Sequence, residues 1–138
     1  MDDAIPLVER LRTVSELAGF NRWLEVKVAT ATAGEVEIHL ANRPEFGQYS
    51  GFLHAAVVAG LIEIASGFAA ASVAGNVIMS QFSVRCLRPA VADIFVARGT
   101  IERQGRQQIF AKATLGALEG EKDRLFAAGE AILLPVGA

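Results

Sequence analysis

Glu63 is the residue with the clearest capacity for chemistry, because it is a lone acid inside the long apolar segment of residues 48–75. Carboxylates are rarely buried unless a partner or a function holds them there. Burial in such a segment raises the pKa of a carboxyl group toward the range of a general base. Gln48 and His54 precede it in the same segment. The structural alternative is a buried acid paired with an arginine or a hydrogen-bonding partner.

The element that must carry Glu63 is a long helix, predicted from Leu53 to about Ser72. Its alanines, leucines and isoleucines favour helix, and no proline interrupts it. Residues 50–51 offer a flexible start with a possible N-cap, and Gly75 offers the stop. Nearly every face is apolar, so we expect burial on most sides. A membrane span is the alternative, but the central acid and the lack of a basic flank argue against it.

The remaining elements follow from hydrophobic periodicity. Residues 4–19 have apolar side chains at helical spacing and predict an amphipathic N-terminal helix. Alternation over residues 24–28 and 36–40 predicts a hairpin with one polar face, where His39 is interpreted as a surface histidine. Four more strands are predicted, at residues 77–87, 94–102, 108–118 and 124–134, and the last two turns between them are short enough for antiparallel hairpins.

This order of elements predicts an α+β fold in which an antiparallel sheet wraps around one apolar helix. The length of 138 residues indicates a single domain over residues 1–138, with the N-terminal helix in 1–19 and the central helix in 53–72. One sheet covers only part of such a helix. We therefore expect a partner subunit over the rest, and at least a homodimer.

Composition narrows the classes of function. A hydrophobic content of 52% excludes a disordered chain, and a net charge of −2 gives no sign of a nucleic-acid or membrane-surface binder. Cys86 is the only cysteine, so no internal disulfide forms; we interpret it as a buried strand residue. The acidic N-terminus lacks a signal-peptide pattern, and a cytoplasmic protein is expected. No metal-ligand spacing, glycine-rich phosphate loop or serine elbow is present, so we expect no metal or organic cofactor.

The pattern Gln48-x-x-Gly51-x-x-His54-Ala55-Ala56, with Glu63 nine residues after the histidine, resembles a known family signature. It is similar to the hotdog-fold acyl-CoA thioesterases, in the branch typified by the phenylacetate-degradation and Arthrobacter-type hydroxybenzoyl-CoA enzymes. Residues 87–90 and 103–106 also resemble strand ends of that family. The resemblance implies a five- or six-stranded sheet around the central helix. It also implies sheets paired edge to edge in a homodimer, with dimers often pairing into a tetramer.

The resemblance further implies hydrolysis of an aryl- or medium-chain acyl-CoA to the free acid and CoA. Glu63 would act as general base or as nucleophile, two roles that the sequence leaves open. The N–H of Ala55, in the first helical turn, would polarise the thioester carbonyl. Gln48 would hold the acid, the water or the carbonyl, and His54 would orient the helix start. The candidates for the CoA phosphates are Arg88, Arg103 and Arg106.

The chain departs from the family pattern at several positions. Ala55 and Ala56 stand where glycines are usual, and Gly67 stands where the Arthrobacter-type enzymes have threonine. The serine or threonine of the phenylacetate type falls on Met79, with Ser80 one position away, and Ser66 or Ser80 is the available substitute.

Two questions stay open from the sequence. Phe68 and Met79 are interpreted as lining either an acyl pocket or the core. The departures at Ala55 and Gly67 support a second hypothesis. In it the chain is a hotdog module that binds acyl-CoA as a sensor or carrier without cleaving it. A hotdog dehydratase is disfavoured, because only alanines and other apolar residues separate His54 from the acid.

Overall fold

A computed structural model describes residues 4–121 and 123–137, so residues 1–3 of the predicted domain and N-terminal helix lie outside the described residues. The helices are α1 (Leu7–Ser15), α2 (Gly19–Leu24) and α3 (Ala55–Ala74), with a 3-10 turn at Pro44–Phe46. The strands are β1 (Lys27–Thr32), β2 (Glu35–Ala41), β3 (Val77–Cys86), β4 (Ile94–Gln104), β5 (Ile109–Ala117) and β6 (Ala127–Pro135).

All six strands form one antiparallel sheet in the order β1-β2-β4-β5-β6-β3, which confirms the predicted α+β fold. The three predicted hairpins are present as β1–β2, β4–β5 and β5–β6. The strand after α3, β3, lies at the edge of the sheet opposite β1. Among the described residues it pairs with β6 alone, so the other side of the strand is unpaired.

The sheet wraps around α3, and two glycines allow the close approach. A Cβ at Gly99 of β4 would lie 2.1 Å from the carbonyl oxygen of Ala65, and one at Gly129 of β6 would lie 2.7 Å from the Ile62 side chain. At Gly99 only glycine lets β4 contact the helix backbone, and at Gly129 a Cβ would collide with both the Ile62 side chain and the Ser83 carbonyl of β3.

The central helix has the length and hydropathy of a membrane span, with a mean hydropathy of 1.8 in its most apolar window. In the fold more than half of that window is buried inside the domain. Its sheet-facing residues, such as Leu61, Ile62 and Ala65, are almost fully covered. The helix is therefore part of the core of the domain.

Three sequence-based boundaries are wrong. The central helix spans Ala55–Ala74 rather than residues 53–72, and its N-cap is His54 rather than Ser50 or Gly51. The predicted N-terminal helix is confirmed as α1, but α1 ends at Ser15 rather than at Gly19, where the unpredicted helix α2 begins.

Leu24, predicted to begin the first strand, is the last residue of α2. Glu25 ends that helix in a left-handed conformation (φ 59°). Leu24 is nevertheless buried, so the alternating apolar pattern predicted its burial correctly but not its secondary structure.

Two side chains differ from expectation in their surroundings. Cys86 is exposed rather than buried, because it ends the edge strand β3. His39 is half-buried: its Nε2 lies 2.7 Å from a carboxylate oxygen of Glu37, whose other oxygen accepts from Arg98. Burial favours a higher pKa for Glu37, but the His39 hydrogen bond and the Arg98 charge outweigh it, so the pKa lies below its ordinary value.

Candidate functional site

Two cavities flank the central helix, and together they contain most of the predicted site residues. The helix-start cavity, about 520 Å³, lies at the N-terminus of α3 and includes Gln48, His54, Ala55 and Arg88 in its lining. The Glu63 cavity, about 780 Å³, lies between α1, α3 and the start of β3.

The loop of residues 42–54 builds one wall of the helix-start cavity and folds back on itself. The N–H of Gln48 donates to the Phe52 carbonyl at 2.7 Å, and the N–H of His54 donates to the Phe46 carbonyl at 2.7 Å. The side-chain oxygen of Gln48 accepts from the N–H of Ser50. Gln48 is therefore held by its own loop, and it lines the cavity.

His54 has a structural position that the sequence did not predict. Its Nδ1 accepts a hydrogen bond from the N–H of Ala56 at 2.9 Å, which caps α3. An accepting Nδ1 places the proton of the neutral ring on Nε2. Within residues 4–121 and 123–137 no acceptor is bound to the N–H of Ala55, as expected for the first residue of a helix. That N–H is therefore available to a ligand oxygen in the helix-start cavity.

Glu63 lies half-buried on the side of α3 that faces the second cavity. In the described part of the chain its carboxylate forms no hydrogen bond and no ion pair, so the alternative of a paired structural acid is not realised there. Desolvation by burial raises the pKa of Glu63 above its ordinary value. An unpartnered carboxylate with a raised pKa is suited to accept a proton or to attack a carbonyl.

One chain does not bring Ala55 and Glu63 together. Eight residues separate them, about 12 Å along the helix axis, and each lines a different cavity. The edge strand β3 runs between the cavities, with Met79 in the lining of the Glu63 cavity and Cys86 in that of the helix-start cavity.

Of the other predicted residues, some line one of the two cavities and some lie outside both. Phe68 and Met79 line the Glu63 cavity beside Gly67. Gly51 and Ser80 line neither cavity; Gly51 instead has a φ of 85°, which the tight turn after Gln48 requires.

Ser66, considered as a substitute hydroxyl, is fully buried and does not line the Glu63 cavity. Arg88 lies in the lining of the helix-start cavity. Arg103 and Arg106 are exposed near the other end of the sheet, at the last residues of β4 and the turn after it. They lie toward the C-terminal end of α3. Near them the Gly34 carbonyl accepts from the N–H of Ile101 in β4, and the N–H of Gly34 donates to the Ser72 hydroxyl of α3.

Sequence reasoning missed two contributors to the site. Helix α1 forms a wall of the Glu63 cavity; its amphipathic pattern indicated burial but not against which surface. Arg43 fixes the site loop: its guanidinium lies 4.3 Å from the ring centre of the buried Phe46 and donates to the Trp23 carbonyl at 2.6 Å. No local pattern marks the hydrogen bond, because Trp23 lies 20 residues before Arg43 in the sequence.

Within the described ranges, no group of three histidine, cysteine, aspartate or glutamate side chains is placed to hold a metal ion. The polar groups that line the two cavities include a backbone N–H, amides, hydroxyls, an imidazole, guanidinium groups and one carboxylate.

A sheet wrapped around one long helix, with a polar loop at the helix start and a lone acid further along, defines a hotdog-fold protein. The family model of the thioesterase superfamily matches residues 50–122, more than half of the chain. The chain belongs to the thioesterase superfamily, whose general reaction is thioester hydrolysis.

Individual relatives agree with this assignment. A thioesterase family protein from Silicibacter pomeroyi has a similar structure, with a TM-score of 0.86 and 27% identity over 94% of this chain and 97% of that one. The PaaI protein of the phenylacetic acid degradation operon of E. coli shares the fold, with a TM-score of 0.85 at 14% identity over 96% and 95% of the two chains. A Saccharolobus solfataricus protein, named provisionally as an esterase, is 24% identical over 88% of this chain and 86% of its own length.

Proposed function

We propose that this protein hydrolyses acyl-CoA thioesters to the free acid and CoA. The observation that carries the proposal is Glu63, an acid with a raised pKa and no partner among the described residues, in an otherwise largely apolar cavity of a thioesterase-superfamily fold. As general base, Glu63 removes a proton from water that attacks the thioester carbon. As nucleophile, it forms an anhydride that water then cleaves. In both routes the C–S bond breaks and CoA leaves as its thiol after protonation.

The carbonyl oxygen gains negative charge during either attack, and the N–H of Ala55 is the proposed donor to it. The free N–H groups and the positive end of the helix dipole favour an anion at that point. Gln48 orients the carbonyl or the water with its amide, and His54 keeps the first turn of the helix in place by its cap. The reaction uses no metal or organic cofactor.

Each proposed active site combines two chains. Antiparallel pairing of two β3 edges in a homodimer would lay the Cys86 end of one strand beside the Met79 end of its partner. The helix-start cavity of one chain would then meet the Glu63 cavity of the other. Exposed apolar side chains on β3, Ile78 and Phe82, support burial of this edge by a second copy. Two such dimers would form the tetramer.

Arg88, at the mouth of the helix-start cavity, is the proposed contact to the CoA phosphates. Arg103 and Arg106 lie at the end of β4 and in the turn after it, so in this arrangement they would serve the nucleotide bound mainly by the partner. We further propose that residues 1–138 form a single hotdog domain and that the protein acts in the cytoplasm.

The test compares wild-type protein with Glu63→Gln on a panel of aryl- and straight-chain acyl-CoAs, followed by release of free thiol. Wild type is expected to hydrolyse at least one substrate, and the variant to lose about 100-fold or more in kcat while still binding it. Glu119→Gln, in an exposed turn, is the matched control and retains full activity.

The rival function is a module that binds acyl-CoA without cleaving it. The methyl group of Ala55 and the missing hydroxyl at Gly67 favour it, since both remove features of the related enzymes. Tight binding across the panel with no thiol release above buffer would establish the module and refute the hydrolase. Near-normal turnover by Glu63→Gln would remove Glu63 from the mechanism.

A further inference from the structure

The Glu63 cavity does not end at the acid but continues along α3 toward its C-terminus. It reaches Gly75 and Asn76, which lie about 18–20 Å from Glu63 along the helix axis. This length is several times that of one aromatic ring. Beside the acid the space is open, because a Cβ added at Gly67 would meet no atom within 4 Å.

Aliphatic side chains from four elements line this extension. They come from α1, β3, β6 and the segment after β6: Leu11, Val14, Val77, Met79, Leu133 and Val136. Phe68 contributes the one aromatic ring among the described lining residues. Arg10 and Asn76 also line the cavity, but most of its wall is aliphatic, which suits an alkyl chain better than a stacked ring.

Part of this apolar wall is left in contact with water. Ile5, Val14 and Val136 are 44%, 49% and 38% exposed, and all three line the cavity. Two of the polar side chains at its margin are already engaged within the fold. The Thr13 hydroxyl donates to the Glu9 carbonyl, and the Ser72 hydroxyl donates to the Ala69 carbonyl. An unbranched apolar chain would cover the exposed wall without leaving these groups unpaired.

We propose that this extension holds a straight aliphatic acyl chain of medium or greater length, and that α1 sets the accepted chain length. The inference rests on the proposed hydrolysis, and names its substrate class. The thioester lies at Glu63, and the chain runs between α1 and α3 past Gly67. An aryl group would fill only the part next to the acid.

The first experiment measures kcat/KM for straight-chain acyl-CoAs from two to twelve carbons, together with benzoyl- and phenylacetyl-CoA. Each methylene that enters the cavity is expected to raise kcat/KM by up to about fourfold. The rise should continue to at least eight carbons, with both aryl substrates below octanoyl-CoA. A flat profile, or one with its maximum at an aryl substrate, overturns the proposal.

The second experiment fills the cavity from α1. Val14→Trp adds bulk to a half-exposed position in the wall, so it should fold and should lower kcat/KM for decanoyl-CoA at least tenfold while changing butyryl-CoA less than twofold. The matched control is Leu17→Trp, which is 77% exposed just after α1 and outside the cavity lining. Equal chain-length profiles for the two variants would refute a role for α1.

A third variant tests the same cavity from its other wall. Gly67→Leu places a side chain in open space on α3, where leucine favours helix more than glycine does. It is expected to shorten the preferred acyl chain in the same direction as Val14→Trp. Retention of the wild-type profile in Gly67→Leu would contradict the proposed path of the chain, whether or not Val14→Trp folds.

Binding separates this inference from the proposed hydrolysis. Non-hydrolysable thioether analogues of the same acyl-CoAs are titrated by calorimetry into wild type and Val14→Trp. Affinity that rises with chain length in wild type but not in Val14→Trp supports the cavity even if no thioester is cleaved. Hydrolysis without any dependence of affinity on chain length keeps the enzyme and rejects the aliphatic site.

Discussion

Glu63 combines a proposed catalytic role with a cost in stability, because burial of its carboxylate disfavours the charged form. Its pKa is raised by burial alone, with no partner in the described residues to offset the desolvation. Below the ordinary glutamate value near 4.5, both folded and unfolded chains carry a neutral acid there. As the pH rises, the unfolded chain ionises freely while the folded one must hold a charge against an apolar wall.

Glu63→Gln is therefore expected to raise the melting temperature at pH 7–8, by a few degrees. The gain should shrink as the pH falls from the raised pKa toward 4.5 and vanish below it, since the ionisation that destabilises the wild type is then suppressed in both states. Calorimetric scans between pH 4 and 8 measure this.

Glu119→Gln, at an exposed turn, is the control and should change little at any pH. A gain for Glu63→Gln that is equal at pH 4 and pH 8 would show that packing, not ionisation, causes it.

At the scale of residues, sequence reasoning identified the acid but not its surroundings. A lone carboxylate in an apolar helix is visible in the sequence, and so is the spacing from His54. The cap formed by His54 was missed because histidine is not among the preferred N-cap residues. The separation of Arg88 from Arg103 depends on strand order, which local patterns do not encode.

At the scale of elements, the loop before α3 depends on a contact from outside itself. Arg43 stacks over Phe46 and bonds the Trp23 carbonyl of α2, while the Phe46 carbonyl accepts the N–H of His54. A carboxylate of Glu25 adds an ion pair at 3.0 Å. Arg43 is thus a positioning residue, two contacts removed from the helix start.

Arg43→Lys is expected to lower kcat about tenfold with KM changed less than twofold, because lysine keeps the charge but loses the planar stack and the forked donors. Steady-state kinetics on the best acyl-CoA, with melting curves alongside, measure the effect.

Arg22→Lys is the matched control, since its guanidinium bonds the Glu16 carbonyl away from the loop. If Arg43→Lys raised KM and left kcat unchanged, or if both variants behaved alike, a positioning role would be refuted.

Elements were predictable wherever burial is periodic. Strands β2, β4, β5 and β6 follow from apolar spacing, and the helix α3 follows from its helix-favouring composition without proline. Helix α2 was not predictable, because Leu24, Val26 and Val28 are all buried and mimic a continuous strand. The position of β3 at the sheet edge was not predictable either, because β3 pairs with β6, which lies about 50 residues later in the sequence.

At the scale of the whole molecule, the proposed two-chain active site can be tested with mixed subunits. Ala55→Pro removes the proposed donor N–H at the first helical position, where proline is well tolerated. The preceding His54 already has φ −63° and ψ 138°, the extended conformation that a following proline requires. The variant should therefore fold.

Mixing inactive Ala55→Pro with inactive Glu63→Gln is expected to restore part of the activity. A mixed dimer contains one intact site and one doubly damaged site, so it approaches half of the wild-type rate per dimer. Differently tagged chains allow the mixed dimers to be purified before assay. Absence of recovery in proven mixed dimers of folded chains would place the acid and the donor in the same chain.

The packing around Arg43 also gives this protein an intrinsic spectroscopic signal. Trp23 is its single tryptophan; its ring lies 5.1 Å from that of Phe46 and 5.5 Å from the Arg43 guanidinium. Its indole emission therefore reports on one place only, the junction between α2 and the loop that leads to the helix start. Stopped-flow fluorescence can follow that loop as a ligand arrives, with no dye and no engineered label.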